Sequence, residues 1–598
     1  MTATTTRPAR VRAVTLGTAD VRLERRADGS LLLRSPHPLG AYPRKLTERL
    51  AHWAQAAPDR AFLAQRAPSG GWRRLAYGEA YARARRVAQA LIDRGLSRER
   101  PLAILSDNDL EHGLLALACL HAGIAYVPIS SAYSLVSTDH GKLRQVFALL
   151  TPGLVYASDR ARFAKAIAAA VPAQTEVIGA EDLAALVAAE PGAAVEAAHA
   201  AVGPDTVAKF LLTSGSTGQP KAVINTQRML CSNQQMLTHA LPSLREEPPV
   251  LVDWLPWNHT AGGNHNFGLV LNHGGTLYID EGRPLPGLIE NTVANLREVA
   301  PTIYFNVPRG YEALLPFLRA DAGLRKTFFS RLRLLQYAAA VLPQPIWRDY
   351  EALALETCGE RILWITGYGA TETAPAAMFT SRGAARAGTV GLPVDGLEMK
   401  LAPVGEKLEA RFRGPSVTPG YWRQPELTAA AFDEEGFYRT GDALRFVDPD
   451  DPRQGFEFDG RTAEDFKLTT GTWVSVGPLR AKINAACSPL VQDVVITGHD
   501  RDWLGALVFL NAVACRELRA EEIRTYLERA FRQLARAATG SSTRVARALV
   551  VETPPSIDAG EITDKGSINQ RAVLKNRSAL VERLYAERPD PSIMVAAT

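Results

Sequence analysis

Apolar and polar positions along the chain fall into two recurring patterns. Residues 101–128 show the first: PLAIL reads as a buried strand, Asp107 or Asn108 can cap a helix running to about His121, and IAYVPI is apolar again. This strand–helix–strand order is the repeat of α/β folds with parallel sheets. Apolar runs at 207-VAKFLLT, 250-VLVDWLPW, 301-PTIYFNVP and 361-RILWITGYG each end in a polar or glycine-rich turn. Ligands of open α/β sheets gather at such carboxyl ends. The second pattern is helical: 81-YARARRVAQALIDRG-95 places Ala82, Val87, Ala88, Leu91 and Ile92 near helical spacing, and the Ala-rich 160–205 is predicted helical with a loop at Pro191-Gly192. No internal repeat occurs at a fixed period.

Near 448–460, DPDDPRQGFEFDG is acidic and turn-forming, and the pattern changes after it. A strand at GTWVSVG, a helix, a strand at 504-LGALVFLN, a long helix near 517–538 and a strand at 546-ARALVVE make a small α+β unit. The expected division is an N-terminal tail over 1–35, partly disordered, a large α/β domain with several sheets over 36–459, and a small C-terminal α+β domain over 460–598.

Composition narrows the classes. The chain has 598 residues, 46% hydrophobic and 22% charged, which excludes a disordered chain and a disulfide mini-protein. A net charge of +5 is too weak to argue for nucleic acid. Residues 1–100 carry 19 Arg and one Lys against eight acids, a local +12, which the helix near 81–95 accounts for as a solvated face. The five cysteines are scattered and form no CxxC pair, so reduced thiols in a cytoplasmic protein are expected, with no cysteine zinc site. The start, MTATTTRPARVRAV, lacks the apolar region of a signal peptide, and no stretch approaches the length of a membrane span.

Three segments carry chemistry. In 212-LTSGSTGQPKAV-223 a buried strand runs into glycines among hydroxyl residues and then Lys221. Backbone N–H groups and hydroxyls of such a loop can wrap phosphate oxygens, with lysine as a point charge. It is not a Walker loop, because Gly215 and Gly218 lie three apart and Ala222 follows the lysine. With 12 lysines against 56 arginines, the lysines inside motif-like segments (Lys221, Lys467, Lys565) stand out. In 367-GYGATETAP-375 a strand end presents Tyr368, Thr371 and Glu372, a ring for a flat base and a carboxylate for a divalent cation. In 437-FYRTGDALRF-446, Asp442 follows a turn and could accept from two ribose hydroxyls, or simply cap the turn. The histidines at 259, 265 and 273 are spaced wrongly for a short helical metal pair.

In order and separation these segments, with the Gly460-Arg461 pair, resemble the adenylate-forming superfamily of acyl-CoA synthetases, adenylation domains and luciferases over residues ~45–575. The resemblance implies ATP, Mg²⁺ and coenzyme A as cofactors and a small domain that is mobile. It implies that Thr213, Ser214, Gly215, Ser216, Thr217, Gly218 and Lys221 form the phosphate loop, with Thr213 also near the metal. Ala338, Ala339 and Ala340 would line the adenine, Tyr368 and Gly369 would meet the base, and Thr371 the α-phosphate. Glu372 would be the magnesium ligand, and Asp442 and Arg461 the ribose pair. His259, Tyr337 and Gly367 would bound the acyl pocket, Gly471 and Trp473 the CoA channel.

Two departures stand out. The hinge stretch GR-TAEDFKLTTG is one residue longer than the family form, leaving Glu464 or Asp465 as hinge. In 561-EITDKGSINQR-571 the catalytic lysine would be Lys565, although it precedes a glycine and Ser567 holds the usual register. The segments 460–480 and 36–66 resemble the feruloyl-CoA synthase branch, implying ATP-dependent ligation of a hydroxycinnamic acid to CoA. The alternatives are another aryl- or acyl-CoA ligase and an enzyme loading a carrier protein. Small molecules are the expected partners, with neither nucleic acid nor membrane, and a homodimer is left open.

Overall fold

The computed structural model describes residues 10–214 (backbone only at Ser214), 219–380, 386–564 and 566–596. The predicted unit at 101–128 is a strand Leu102–Leu105, a helix Leu110–Ala122 and a strand Tyr126–Ile129. Its cap is Asp109 rather than Asp107 or Asn108: Asp109 is extended, and its carboxylate accepts from the His112 amide at 2.5 Å. Asn108 is taken up elsewhere, bonding Leu255 and Trp257.

Parallel strands Leu102–Leu105, Tyr126–Ile129, Leu154–Ala157, Glu176–Ile178 and Val207–Ser214 form a six-stranded sheet, closed on one edge by antiparallel Pro220–Thr226. Their near-continuous burial is what a parallel sheet covered on both faces requires. A four-stranded sheet includes Val250–Asp253, and an eleven-stranded sheet includes Ile303–Asn306, Leu334–Tyr337 and Leu363–Gly369. The Ala-rich stretch breaks into short helices, Ala164–Ala170, Leu183–Val187 and Ala193–Ala201.

After residue 461 comes a hairpin Phe466–Lys467/Trp473–Val474, a helix Val476–Ala486, and a four-stranded sheet that includes Leu504–Leu510 and Val545–Val550. That sheet also holds Val491–Thr497, a strand the apolar pattern did not disclose because Gln492 and Asp493 interrupt it. The fold is thus α/β, with a large multi-sheet N-terminal part and a smaller C-terminal domain.

Two expectations change. Residues 10–34, expected as part of a partly disordered tail, hold two strands: Arg22–Arg25 is one edge of the eleven-stranded sheet and pairs with Leu31–Arg34, which pairs onto Glu398–Val404. Their apolar residues have a buried face to occupy, and Leu33 is fully buried in the main core. Gly460 and Arg461 belong to Phe456–Arg461, a strand of that same large sheet, so the sheet outlasts the composition shift. Truncating Leu33→Ala should cost about 2–5 kcal/mol in a urea melt, the usual range for an emptied core site; an unchanged midpoint would make the N-terminal strands dispensable.

Candidate active site

The strand Val207–Ser214 delivers the phosphate-loop segment, and Pro220–Thr226 carries the chain back with Lys221 opposite Thr213. Gly215, Ser216, Thr217 and Gly218 lie outside the described residues. The return strand is braced by 420–424. Tyr421 bridges Val223, Trp422 N donates to Ala222 O, and Gln424 bonds both Pro220 and Ala222. Lys221 Nζ lies over the Tyr421 ring at 4.9 Å, and Tyr421 Oη donates to Glu372 Oε1 at 3.0 Å. Thr213, Lys221 and Glu372 are thereby brought to one place, around a tyrosine that motif reading did not select.

Glu372 and Thr371 are buried in a short 3₁₀ turn, Thr371–Thr373, following the strand Leu363–Gly369. Asn233 fixes that turn from a helix below, its Nδ2 donating to Ala376 O and its Oδ1 accepting from Ala376 N. Tyr368 Oη donates to Asp442 Oδ2 at 2.7 Å. Asp442 and Arg461 are register partners on adjacent strands, with Nε 3.4 Å from Oδ1. That oxygen is buried and accepts no hydrogen bond among the described residues. Burial raises the Asp442 carboxyl pKa, and the Arg461 charge works in the opposite direction. Ala338, Ala339 and Ala340 follow the strand Leu334–Tyr337, and Ala339 has φ +72°, where an alanine costs about 1–2 kcal/mol.

The expected acyl-pocket set is only partly assembled. Tyr337 packs among Trp347 and Trp364 in a separate aromatic core. Strand alternation turns its neighbour Gln336 the other way, to His265 Nε2 at 3.2 Å. Gly367 is a close strand contact: a Cβ there would stand 2.8 Å from Met378 O and 3.0 Å from the Phe379 ring.

His259 precedes a π-type turn, Ala261–Asn266, a geometry common at functional sites. Its Nε2 is 3.4 Å from Asp564 Oδ2, which also accepts from Asn258 Nδ2 at 3.3 Å. Lys565 itself lies outside the described residues. Beneath the turn Lys209 Nζ donates to Gly263 O at 2.8 Å and faces the Tyr126 ring, and burial brings its pKa down to about 7. At Gly263 a Cβ would stand 2.2 Å from Trp257 O, so the turn closes only on glycine. His265 and His273 are spent on internal bonds, to Gln336 and Asn266 and to Thr238 and Leu269. Among the described residues no group of three or more His, Cys, Asp or Glu could hold a metal.

Of the hinge pair, Asp465 is fastened: it accepts from Val476 N at 3.0 Å and pairs with Lys407 at 2.5 Å. Glu464 is half-buried beside it. Gly471 sits in the turn of the small hairpin, and Trp473 lies partly exposed under Lys467 Nζ at 5.0 Å.

The chain belongs to the AMP-binding enzyme family, whose profile matches residues 50–422, and the profile of that family's C-terminal domain matches 465–589. Within it the chain is an adenylate-forming protein that resembles feruloyl-CoA synthase. It is 29% identical over 391 residues to a feruloyl-CoA synthase of an Amycolatopsis species, covering 62% of this chain and 70% of that protein. It is 27% identical over 415 residues to a carboxylic acid reductase of Mycobacterium marinum, covering 64% of this chain. The match spans 33% of that reductase's length. The adenylation domain of a carboxylate reductase from Mycobacterium chelonae superposes with a TM-score of 0.70 at 21% identity, covering 92% of each chain, a likeness of fold.

Lys209 yields a pH test. Its folded pKa is lowered to about 7, below that of the unfolded chain, so the unfolded state binds more protons above that pH. Stability should rise with pH there by about 1.4 kcal/mol per unit. The stability difference between wild type and Lys209→Met in urea melts should therefore climb from pH ~7 to pH ~9; a flat difference would place the proton elsewhere.

Proposed function

We propose that the chain activates a carboxylic acid with ATP and passes the acyl group to coenzyme A, with hydroxycinnamic acids such as ferulate as its substrates. One observation carries the nucleotide part. Asp442 has one oxygen held by Tyr368 and the other buried without a donor beside Arg461, which suits a pair of ribose hydroxyls. The likeness to feruloyl-CoA synthase supports the acid class.

In the first half-reaction the acid's carboxylate attacks the α-phosphorus of ATP, giving acyl-AMP and pyrophosphate. Thr213 to Gly218 and Lys221 would cradle the phosphates, Thr371 would meet the α-phosphate, and Tyr368 with Ala338–Ala340 would hold the base. Lys565 would approach the developing charge from the small domain. A lone buried carboxylate such as Glu372 suits Mg²⁺, which takes its other ligands from phosphate and water. Bound there with Thr213 nearby, the cation would supply charge neutralisation. In the second half-reaction the CoA thiol, reaching in past Gly471 and Trp473, would attack the acyl carbonyl held against His259, and AMP would leave.

The large domain, reaching through the strand that ends at Arg461 and joined by the N-terminal strands, and the small domain after it would turn about Glu464 or Asp465 between the two steps. Such a turn would have to break the Lys407–Asp465 pair. The five free cysteines fit a reducing compartment such as the cytoplasm. A second reading, loading of a phosphopantetheinyl carrier, is favoured by the likeness to carboxylic acid reductases.

Pyrophosphate release across ferulate, p-coumarate, benzoate, octanoate and phenylalanine, with and without CoA, tests the reading. Hydroxycinnamates should win, and CoA should yield their thioesters. A clear preference for octanoate or phenylalanine would overturn the acid class, and acyl-AMP formation without transfer to CoA would favour the carrier reading. Glu372→Gln keeps an acceptor for Tyr421 but loses the charge. Pyrophosphate release should fall more than about tenfold, over ~1.4 kcal/mol of transition-state stabilisation; wild-type rates at saturating Mg²⁺ would remove Glu372 from the site.

A further inference from the structure

The small domain presses a two-residue peg into the large one, at a place the reaction scheme does not use. Ile557 is buried in a core cluster of the large domain that includes Tyr133, Phe147 and Phe163. Its neighbour Asp558 accepts three hydrogen bonds from one turn there: from Ser137 Oγ at 2.6 Å, Thr138 Oγ1 at 2.7 Å and Thr138 N at 2.9 Å. Both sides are stiff. Ser137 N is held by Ala132 O, and the Asp139 carboxylate accepts from Gly141 N. Within the small domain, Glu561 accepts from Ser556 N and is paired with Arg577 at 2.6 Å. The chain from this peg leads directly to Asp564 beside His259.

We propose, resting on the two-step reading above, that Ile557 and Asp558 dock the small domain in the orientation that forms acyl-AMP, with Asp558 a positioning residue for that step alone. A carboxylate fed by three donors is held in its charged form, here with its pKa brought down to about 2, so the dock stays engaged across ordinary working pH. Burial opposes that charged form, while the backbone N–H of Asp139 and the nearby Lys142 ammonium favour it. Among the described residues Asp558 bonds Ser137 and Thr138, neither of which is assigned to ATP, acid or CoA, so its loss should act through orientation.

The test separates the half-reactions. Asp558→Ala should lower pyrophosphate release more than tenfold while converting supplied feruloyl-AMP and CoA to thioester within twofold of wild type. Ser137→Ala combined with Thr138→Val should reproduce that split, and adding both to Asp558→Ala should lower the rate no further. Equal loss in both half-reactions, or no loss, would overturn the proposal. Hydrogen exchange reads docking without catalysis: in Asp558→Ala the buried amides around Tyr133 and Ser137 should exchange faster, with the Leu504–Leu510 strand protected as in wild type. Unchanged exchange around Tyr133 would also overturn it. If wild type makes acyl-AMP from no acid, the ligase reading fails and the exchange result still decides the docking.

Discussion

The hydrogen bond from Tyr421 to Glu372, with Lys221 over the same ring, is the junction on which the rest of the site depends. It joins three segments: the return strand of the phosphate loop, the turn after Leu363–Gly369, and the 420–424 brace. Glu372 is a buried carboxylate, and such a group is tolerated only where donors or cations meet it. The phenol satisfies one of its oxygens, and Lys221 lies over the same ring.

The parts legible in the sequence were those whose signal is local. Strands at 207, 250, 301 and 361 announce themselves as apolar runs, and the three motif segments carry their glycines and hydroxyls side by side. The residues missed find their partners far along the chain. Tyr421 reaches 49 residues back to Glu372, Lys209 54 residues on to Gly263, Asn233 143 residues on to Ala376, and Asp558 421 residues back to Ser137. No window reveals such pairs. Tyr337 shows a subtler limit, because a period of two lets a one-place choice send a side chain to the opposite face. The segment 419-PGYWRQ-424, an aromatic pair after a glycine, was a signal for Tyr421 that could have been followed.

Lys209 shows how much the fold concedes to place one turn. A fully buried ammonium that donates to a backbone carbonyl is costly, since desolvation opposes its charge and no carboxylate among the described residues pairs with it. A π-type turn leaves backbone carbonyls poorly matched, and the ammonium is a donor that can reach the one at Gly263 from the adjacent sheet. The strand that ends in the phosphate loop therefore also supports the turn that carries His259. In the proposed scheme the segments assigned to phosphate and to the acyl wall would thus be held to one backbone, which would suit a reaction in which an acid and a phosphate must meet within bond-forming distance.

A small domain that turns between the two proposed steps can be held only up to a limit. Hydrogen bonds to a charged group contribute about 1.5–3 kcal/mol each, so three to Asp558 and a buried Ile557 could amount to several kcal/mol. Moving a two-state equilibrium from one extreme to the other takes about 5.5 kcal/mol. A dock much stronger than that would trap the first orientation, and a weaker one would leave it sparsely populated. In that scheme acyl-AMP and departing pyrophosphate would have to supply the difference, and the contacts best placed to sense them would be those of Asp564 with Asn258 and His259. The peg is remote from the chemistry and fixes the orientation, whereas the Asp564 contact is near enough for the reaction to break.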